Sequence, residues 1–292
     1  MNVPSELRAL IRREEPLSPY TWYKIGGPAE FFAELTSIED FGRALTWAKD
    51  NDLPFRLLGA GSNLLVRDEI VPGIVVKLAG PVFRCIDVSD LQVNAGAGAS
   101  LENVISTSVR QGLAGLETLT GIPGTIGGAI VANAGGHYGD ISQFLVRLRA
   151  IDHNGQLREI SRADIRFEYR STSLPCAYVV SATFSLKRED RQEIRARRSK
   201  ILKHKRSSQP VAARSSGCIF KNPRGISAGA LISFAGLAGK RIGGAKVSNA
   251  HANFIEAGPD ATSSDVHKLI DLMHETVLRR HNVDLQPEII FW

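Results

Sequence analysis

Residues 120–136 read TGIPGTIGGAIVANAGG. Six of these seventeen residues are glycine and none is charged. Such a density needs a reason, because glycine loses more conformational freedom on folding than any other residue. The usual reason is backbone that turns through positive φ, or that approaches a ligand too closely for a Cβ. Glycine-rich backbone with free N–H groups suits phosphate oxygens. A second loop lies upstream, Leu57-Leu58-Gly59-Ala60-Gly61-Ser62-Asn63. It follows a run, Leu53 to Leu58, that reads as a strand, which is the context a phosphate loop needs. One such loop alone is best read as a tight turn of an α/β domain. The pair favours a ligand with more than one phosphate, a dinucleotide. Neither Gly59-Ala60-Gly61-Ser62-Asn63-Leu64 nor Gly96-Ala97-Gly98-Ala99-Ser100-Leu101 has the third glycine of the nicotinamide fingerprint. The expectation is therefore a cofactor gripped between two loops from different domains, with Ser62 and Asn63 adding side-chain hydrogen bonds to its pyrophosphate.

The chain has 292 residues, 43% hydrophobic and 23% charged, enough for about two domains and a sizeable core. No apolar run is long enough for a membrane span, and the start, MNVPSELRALIRREEP, has no apolar signal-peptide core. These features predict a cytoplasmic protein. The three cysteines, Cys85, Cys176 and Cys218, form no C-x-x-C pair, so neither a disulfide framework nor a metal site is indicated. Cys85 and Cys176 lie among apolar residues and read as buried packing. The net charge of +6 is concentrated at Arg191 to Arg206, with eight Lys or Arg against one acid, Glu193. That run reads as a basic helix. Without interleaved aromatics it is a solvated face that also attracts an anionic substrate, rather than a nucleic-acid surface.

The element pattern divides the chain into residues 1–79, 80–206 and 207–292. The first part holds a strand at Phe31 to Leu35, a helix capped by Ser37 with Asp40 three residues on, and a strand at Gly73 to Leu78. The second holds a strand at Leu91 to Ala95, a helix capped by Ser100, and a hairpin from Phe144 to Ile160 across Asn154-Gly155. A strand at Tyr178 to Leu186 and the basic helix follow. The third part holds a helix over Ser263 to His281, with a Thr262/Asp265 capping box, and ends in a strand at Glu288 to Trp292. His267, His274 and His281 recur every seven residues, too far apart to share an ion, and read as surface residues.

These motifs carry a family resemblance. Thr21-Trp22-Tyr23-Lys24-Ile25-Gly26-Gly27, Gly59 to Asn63 and Gly121-Ile122-Pro123-Gly124-Thr125-Ile126-Gly127-Gly128-Ala129 resemble the UDP-N-acetylenolpyruvoylglucosamine reductases. So do Tyr169-Arg170-Ser171, Ser216-Gly217-Cys218-Ile219-Phe220-Lys221-Asn222-Pro223, Gly243-Gly244 and Pro287-Glu288. The match spans nearly the whole chain in the family's order and is similar to the family's shorter type. It implies a mixed α/β (α+β) fold, in which a two-part FAD-binding cradle of the vanillyl-alcohol-oxidase type is joined to a third α/β domain over the UDP-sugar. Under the resemblance, parts 1–79 and 80–206 are the cradle and 207–292 covers the substrate, with the C-terminal strand returning to the active site. Gly59, Ala60, Gly61, Ser62, Asn63, Gly121, Pro123, Gly124, Thr125, Gly127 and Gly128 would hold FAD.

The implied reaction reduces an enolpyruvyl ether to a lactyl ether. NADPH reduces FAD, and hydride then passes to the terminal carbon of the enol ether. The protein must stabilise the developing charge, protonate the adjacent carbon and exclude water. Arg170 matches the family's catalytic arginine, a permanent charge able to bind a carboxylate through two parallel bonds. Glu288 matches its glutamate, which burial would hold protonated. Cys218 stands where most of the family has a proton-donating serine. A thiol of pKa about 8.5 is a better acid than an alcohol, though it must stay protonated until hydride arrives, and nearby Lys221 pushes the other way. Asn222 and Lys221 are assigned to the UDP-sugar, and Tyr169 to stacking or hydrogen bonding beside it. The expected partners are the UDP-sugar and NADPH, with no nucleic acid, no membrane and no second subunit. The rival readings are another flavoenzyme of the same cradle, with His137 as a flavin attachment point, and a nucleic-acid-binding protein using Arg191 to Arg206.

Overall fold

The computed structural model describes residues 3–175 and 178–292, so the expectation for Cys176 lies outside the described residues. The chain forms two compact units. One takes in the chain as far as Arg13, Phe31–Ala60 and Gly73–His204; the other takes in Glu14–Glu30, Gly61–Pro72 and Lys205–Trp292.

A four-stranded sheet has the order Ile11–Pro16, Pro28–Leu35, Val71–Leu78, Phe55–Leu57, the last two strands parallel. Within the first unit it is covered by the helix Ile38–Asp50, which buries Phe41, Ala44, Trp47 and Ala48 against Phe31, Ala33, Ile74 and Val76. Ser37 Oγ accepts the Asp40 N–H at 3.1 Å, so the predicted cap forms. Phe41, Phe55 and Tyr178 make a mutual edge-to-face cluster, with ring centroids 5.2–5.3 Å apart. Tyr178 opens the central strand of an antiparallel sheet in the same unit, ordered Leu157–Ser161, Leu145–Ile151, Tyr178–Ser185, Gln92–Gly96, Ile86–Ser89. Alternation sends Val93, Ala95, Leu148, Ala150, Ala182 and Phe184 into a core with the helix Leu101–Arg110. The hairpin expected at Asn154-Gly155 is present, but its loop is wider than two residues. Asp152 Oδ1 accepts the N–H groups of Asn154 and Gln156, both at 2.9 Å, and Gly155 sits at φ +79°.

The basic helix spans Arg191–Ser208 and buries only Ile194 and Ile201. Arg197 binds the buried carboxylate of Glu117 at 2.9–3.0 Å and Glu189 at 2.6 Å, and Arg198 pairs with Glu102. Part of its charge therefore holds the helix in place.

In the second unit a three-stranded antiparallel sheet, Arg241–Ile242, Ala245–Val247 and Ile255–Ala257, packs with the helices Ala228–Phe234 and Ser263–His281. The Thr262/Asp265 capping box forms as expected, and Asp68 adds two further acceptors to the N–H groups of Ser263 and Ser264. The C-terminal strand is shorter than expected, Ile290–Phe291, and pairs in parallel with Leu64–Leu65 just after the first glycine loop.

One expectation is corrected. Cys85 is half-exposed rather than buried, because it follows the short helix Pro81–Arg84 at a solvent edge. Of the three histidines, His267 and His274 lie at the surface, His274 bonding Asp284 at 2.7 Å, and His281 is half-buried with its Nε2 covered. No cluster of metal-ligating side chains and no helix long and apolar enough to cross a membrane occurs among the described residues.

Candidate functional site

The two glycine loops meet inside the first unit. A Cβ built on Gly59 would lie 2.8 Å from Thr125 Oγ1, so any larger residue there requires the Thr125 hydroxyl to shift. Thr125 Oγ1 also accepts the Gly128 N–H at 3.3 Å. The second loop is laced to the turn at residues 97–101: Leu101 N–H to Gly124 O, 3.1 Å; Ile126 N–H to Ala99 O, 2.9 Å; Gly127 N–H to Ala97 O, 2.8 Å. Gly121 and Gly124 hold φ of +75° and +145°. Among the described residues, the N–H groups of Gly59, Ala60, Gly121 and Gly124 have no protein acceptor. A row of unsatisfied N–H groups on backbone without Cβ atoms fits a diphosphate. Pro123 borders this row and is exposed.

Tyr169 and Arg170 form the two-residue tip of a hairpin between Arg166–Glu168 and Ser171–Ser173. Arg170 has φ +56°, a left-handed conformation that this turn demands of its second residue and that normally goes to glycine or asparagine. An arginine there carries backbone strain that a glycine would not. The guanidinium lies 5.3 Å from the Tyr169 ring centroid, and that tyrosine is 54% exposed. The hairpin is tied to the end of the second glycine segment, through Asn133 Nδ2 to Glu168 O at 2.9 Å and Thr172 Oγ1 to Ile130 O at 2.6 Å. Arg170 and the glycine loops are thereby placed by one rigid set of contacts. His137 packs edge-to-face on Tyr138 at 5.1 Å, next to the Gly139 turn.

The second unit gathers the rest. Gly61, at φ +63°, approaches Tyr20, whose carbonyl would sit 2.2 Å from a Cβ. Ser62 and Asn63 follow, both half-buried. Asn63 Nδ2 donates to Glu288 O at 3.0 Å, and Ile290 N–H donates to Asn63 O at 3.1 Å. The segment after Cys218 runs antiparallel to Gln286–Glu288: Glu288 N–H donates to Ile219 O and Lys221 N–H to Gln286 O, both 2.8 Å, with Phe220 bridged to Pro287. Glu288 is thus paired with Ile219, the residue after Cys218, and Cys218 and Glu288 are both half-buried. Asn222 is exposed, and its Oδ1 accepts the Ala228 N–H at 3.0 Å, which commits one end of its amide to the adjoining helix.

The expected residues therefore fall into two sets. Gly59, Ala60, Gly121, Pro123, Gly124, Thr125, Gly127, Gly128, Tyr169 and Arg170 belong to the first unit; Gly61, Ser62, Asn63, Cys218, Lys221, Asn222 and Glu288 belong to the second. Asn253, which lies in none of the motifs, grips the Cys218 segment, and the motif residues Tyr23 and Ser216 have buried hydroxyls. Burial pushes the Tyr23 phenol well above its ordinary value. A polar residue inside the apolar run Ala252-Asn253-Phe254-Ile255 was the available signal.

Comparison with known proteins gives the family. The FAD binding domain family matches residues 29–161, and the UDP-N-acetylenolpyruvoylglucosamine reductase C-terminal domain family matches residues 209–292. The chain is 40% identical over 284 residues to UDP-N-acetylenolpyruvoylglucosamine reductase 2 of Symbiobacterium thermophilum, covering 97% of this chain and 92% of that one. It is 36% identical over 295 residues to the reductase of Bacillus velezensis, covering 99% and 97%. The crystal structure of the Thermus caldophilus reductase superposes with a TM-score of 0.83 at 34% identity, covering 97% and 98%. Paired glycine loops on a mixed α/β frame, with a matched FAD domain, define an FAD-dependent oxidoreductase. Within that class, the chain belongs to the UDP-N-acetylenolpyruvoylglucosamine reductase family.

Proposed function

We infer that the protein reduces the enolpyruvyl ether of UDP-N-acetylglucosamine to UDP-N-acetylmuramate, a step in making peptidoglycan precursors, with NADPH as reductant. The observation that carries this reading is the backbone pairing of the Cys218 segment with Glu288, in a chain whose whole length matches this family. Bound FAD supplies the hydride relay between NADPH and the terminal carbon of the enol ether. The N–H groups of Gly59, Ala60, Gly121 and Gly124 are the donors for its diphosphate, with Gly61, Ser62, Asn63, Pro123, Thr125, Gly127 and Gly128 completing the loops. Arg170 binds the substrate carboxylate, where negative charge accumulates. Glu288, protonated, adds a hydrogen bond to that carboxylate. Cys218 Sγ gives its proton to the carbon next to the carboxylate, and the thiolate regains a proton from solvent. Lys221, Tyr169 and the free end of the Asn222 amide serve the UDP-sugar.

We assign residues 1–79 and 80–206 to the two cradle lobes and 207–292 to the substrate-covering domain. The protein is assigned to the cytoplasm as a monomer. The test is stopped-flow oxidation of the dithionite-reduced holoenzyme by the UDP-enolpyruvyl sugar. Rapid return of the flavin absorbance is expected; a flavin that stays bleached with saturating sugar, or a protein that takes up no FAD, overturns the reading.

A further inference from the structure

The Cys218 segment is held from two sides, and only one side is an extended stretch of chain. On the first, Ile219 O and Lys221 N–H pair with Glu288 N–H and Gln286 O. On the other, no such stretch is available, and one residue takes its place. The Asn253 carbonyl accepts the Ile219 N–H at 2.8 Å. Its side-chain Oδ1 accepts the Phe220 N–H at 3.0 Å, and its Nδ2 donates to Phe220 O at 2.7 Å. A primary amide presents one acceptor and one donor side by side, as a peptide group does. Asn253 therefore satisfies both backbone groups of a residue that is 1% exposed, while being 1% exposed itself. It sits in the loop between the strands Ala245–Val247 and Ile255–Ala257. Gly217, at φ +80°, turns the chain just before Cys218.

We propose that Asn253 is a positioning residue for the reaction, setting the register of the segment that carries the Cys218 proton donor against Glu288. The inference rests on the proposed function and concerns only the second half of it. Asn253 touches neither Cys218 Sγ nor the glycine loops through any of these bonds, so its loss acts on proton delivery and leaves flavin reduction alone. In Asn253→Asp the acceptor for the Phe220 N–H stays, but a carboxylate oxygen faces the Phe220 carbonyl. Repulsion there shifts the segment, and a misplacement of about 1 Å costs roughly 10²-fold in rate.

Two measurements test this. In the first, Asn253→Asp holoenzyme is compared with the unaltered holoenzyme in each half-reaction, in water and in deuterium oxide. Flavin reduction by NADPH should stay within about threefold. Reoxidation by the UDP-enolpyruvyl sugar should slow roughly 100-fold with a larger solvent isotope effect. Equal losses in both half-reactions, or reoxidation within about threefold of the unaltered enzyme, overturn the inference. In the second, hydrogen exchange on the unaltered holoenzyme should show the amides of Ile219 and Phe220 protected as strongly as the buried helix Ser263–His281. Fast exchange there overturns it even if the variant does not fold. If the unaltered enzyme takes up FAD but is never reoxidised by the sugar, the proposed function fails instead.

Discussion

Single residues decide the chemistry here, and two of them show how. Cys218 is the acid in the proposed reaction, and a positioned general acid contributes about 10²–10⁴-fold. Cys218→Ala should lower reoxidation by the sugar by that factor while NADPH still bleaches the flavin, and Cys218→Ser should keep measurable turnover; equal loss of both half-reactions in the alanine variant removes Cys218 from its role. Arg170 pays for its place with a left-handed backbone at φ +56°. Glycine there relieves strain on the order of 1 kcal/mol, so Arg170→Gly should melt no lower than the unaltered protein while reduction of the enol ether collapses. A melting temperature that drops would show that the guanidinium supports the hairpin. Tyr23 gives a pH signature. Its phenol is buried and held neutral in the fold, whereas the unfolded chain ionises it near pH 10. The folded value is raised, so its stabilising contribution is complete below about pH 10 and is lost as pH rises beyond. Denaturant titrations at alkaline pH should show a shallower fall for Tyr23→Phe than for the unaltered protein.

Elements fix where those residues stand. The Ser37 and Thr262 caps, the amphipathic helices and the alternating strands were legible because each depends on neighbours a few residues away. The approach of Gly59 to Thr125 was not, since 66 residues separate them and nothing local encodes a 2.8 Å limit. Sequence showed two glycine loops; folding showed that they touch. Gly59→Ala should push the loops apart at a cost of about 1–3 kcal/mol. At 1.4 kcal/mol per decade that is roughly a 5- to 140-fold weaker hold on FAD, measurable by equilibrium dialysis of the flavin. Unchanged affinity would place the diphosphate elsewhere.

At the scale of the molecule, FAD is expected to act as a stabiliser: a ligand that binds only the native state adds about 2.7 kcal/mol at a hundredfold excess over Kd. Calorimetry should therefore show the apoprotein melting several degrees below the FAD-loaded protein, with the difference growing as free FAD is raised. A melting temperature indifferent to FAD would count against the cradle. By itself, the sequence determined the family, the mixed α/β class, the helices with the Ser37 and Thr262 caps, and the two glycine loops. All of these are local patterns or short motifs read in order. Only the tertiary structure decided that Cys85 is half-exposed, that the Asn222 amide is partly committed to a helix, and that the chain just after Cys218 pairs with Gln286–Glu288 on one side and with the Asn253 side chain on the other. Those outcomes depend on which backbone groups remain unpaired after the chain has folded, and a buried N–H or C=O takes whatever partner the packing brings, however distant in sequence.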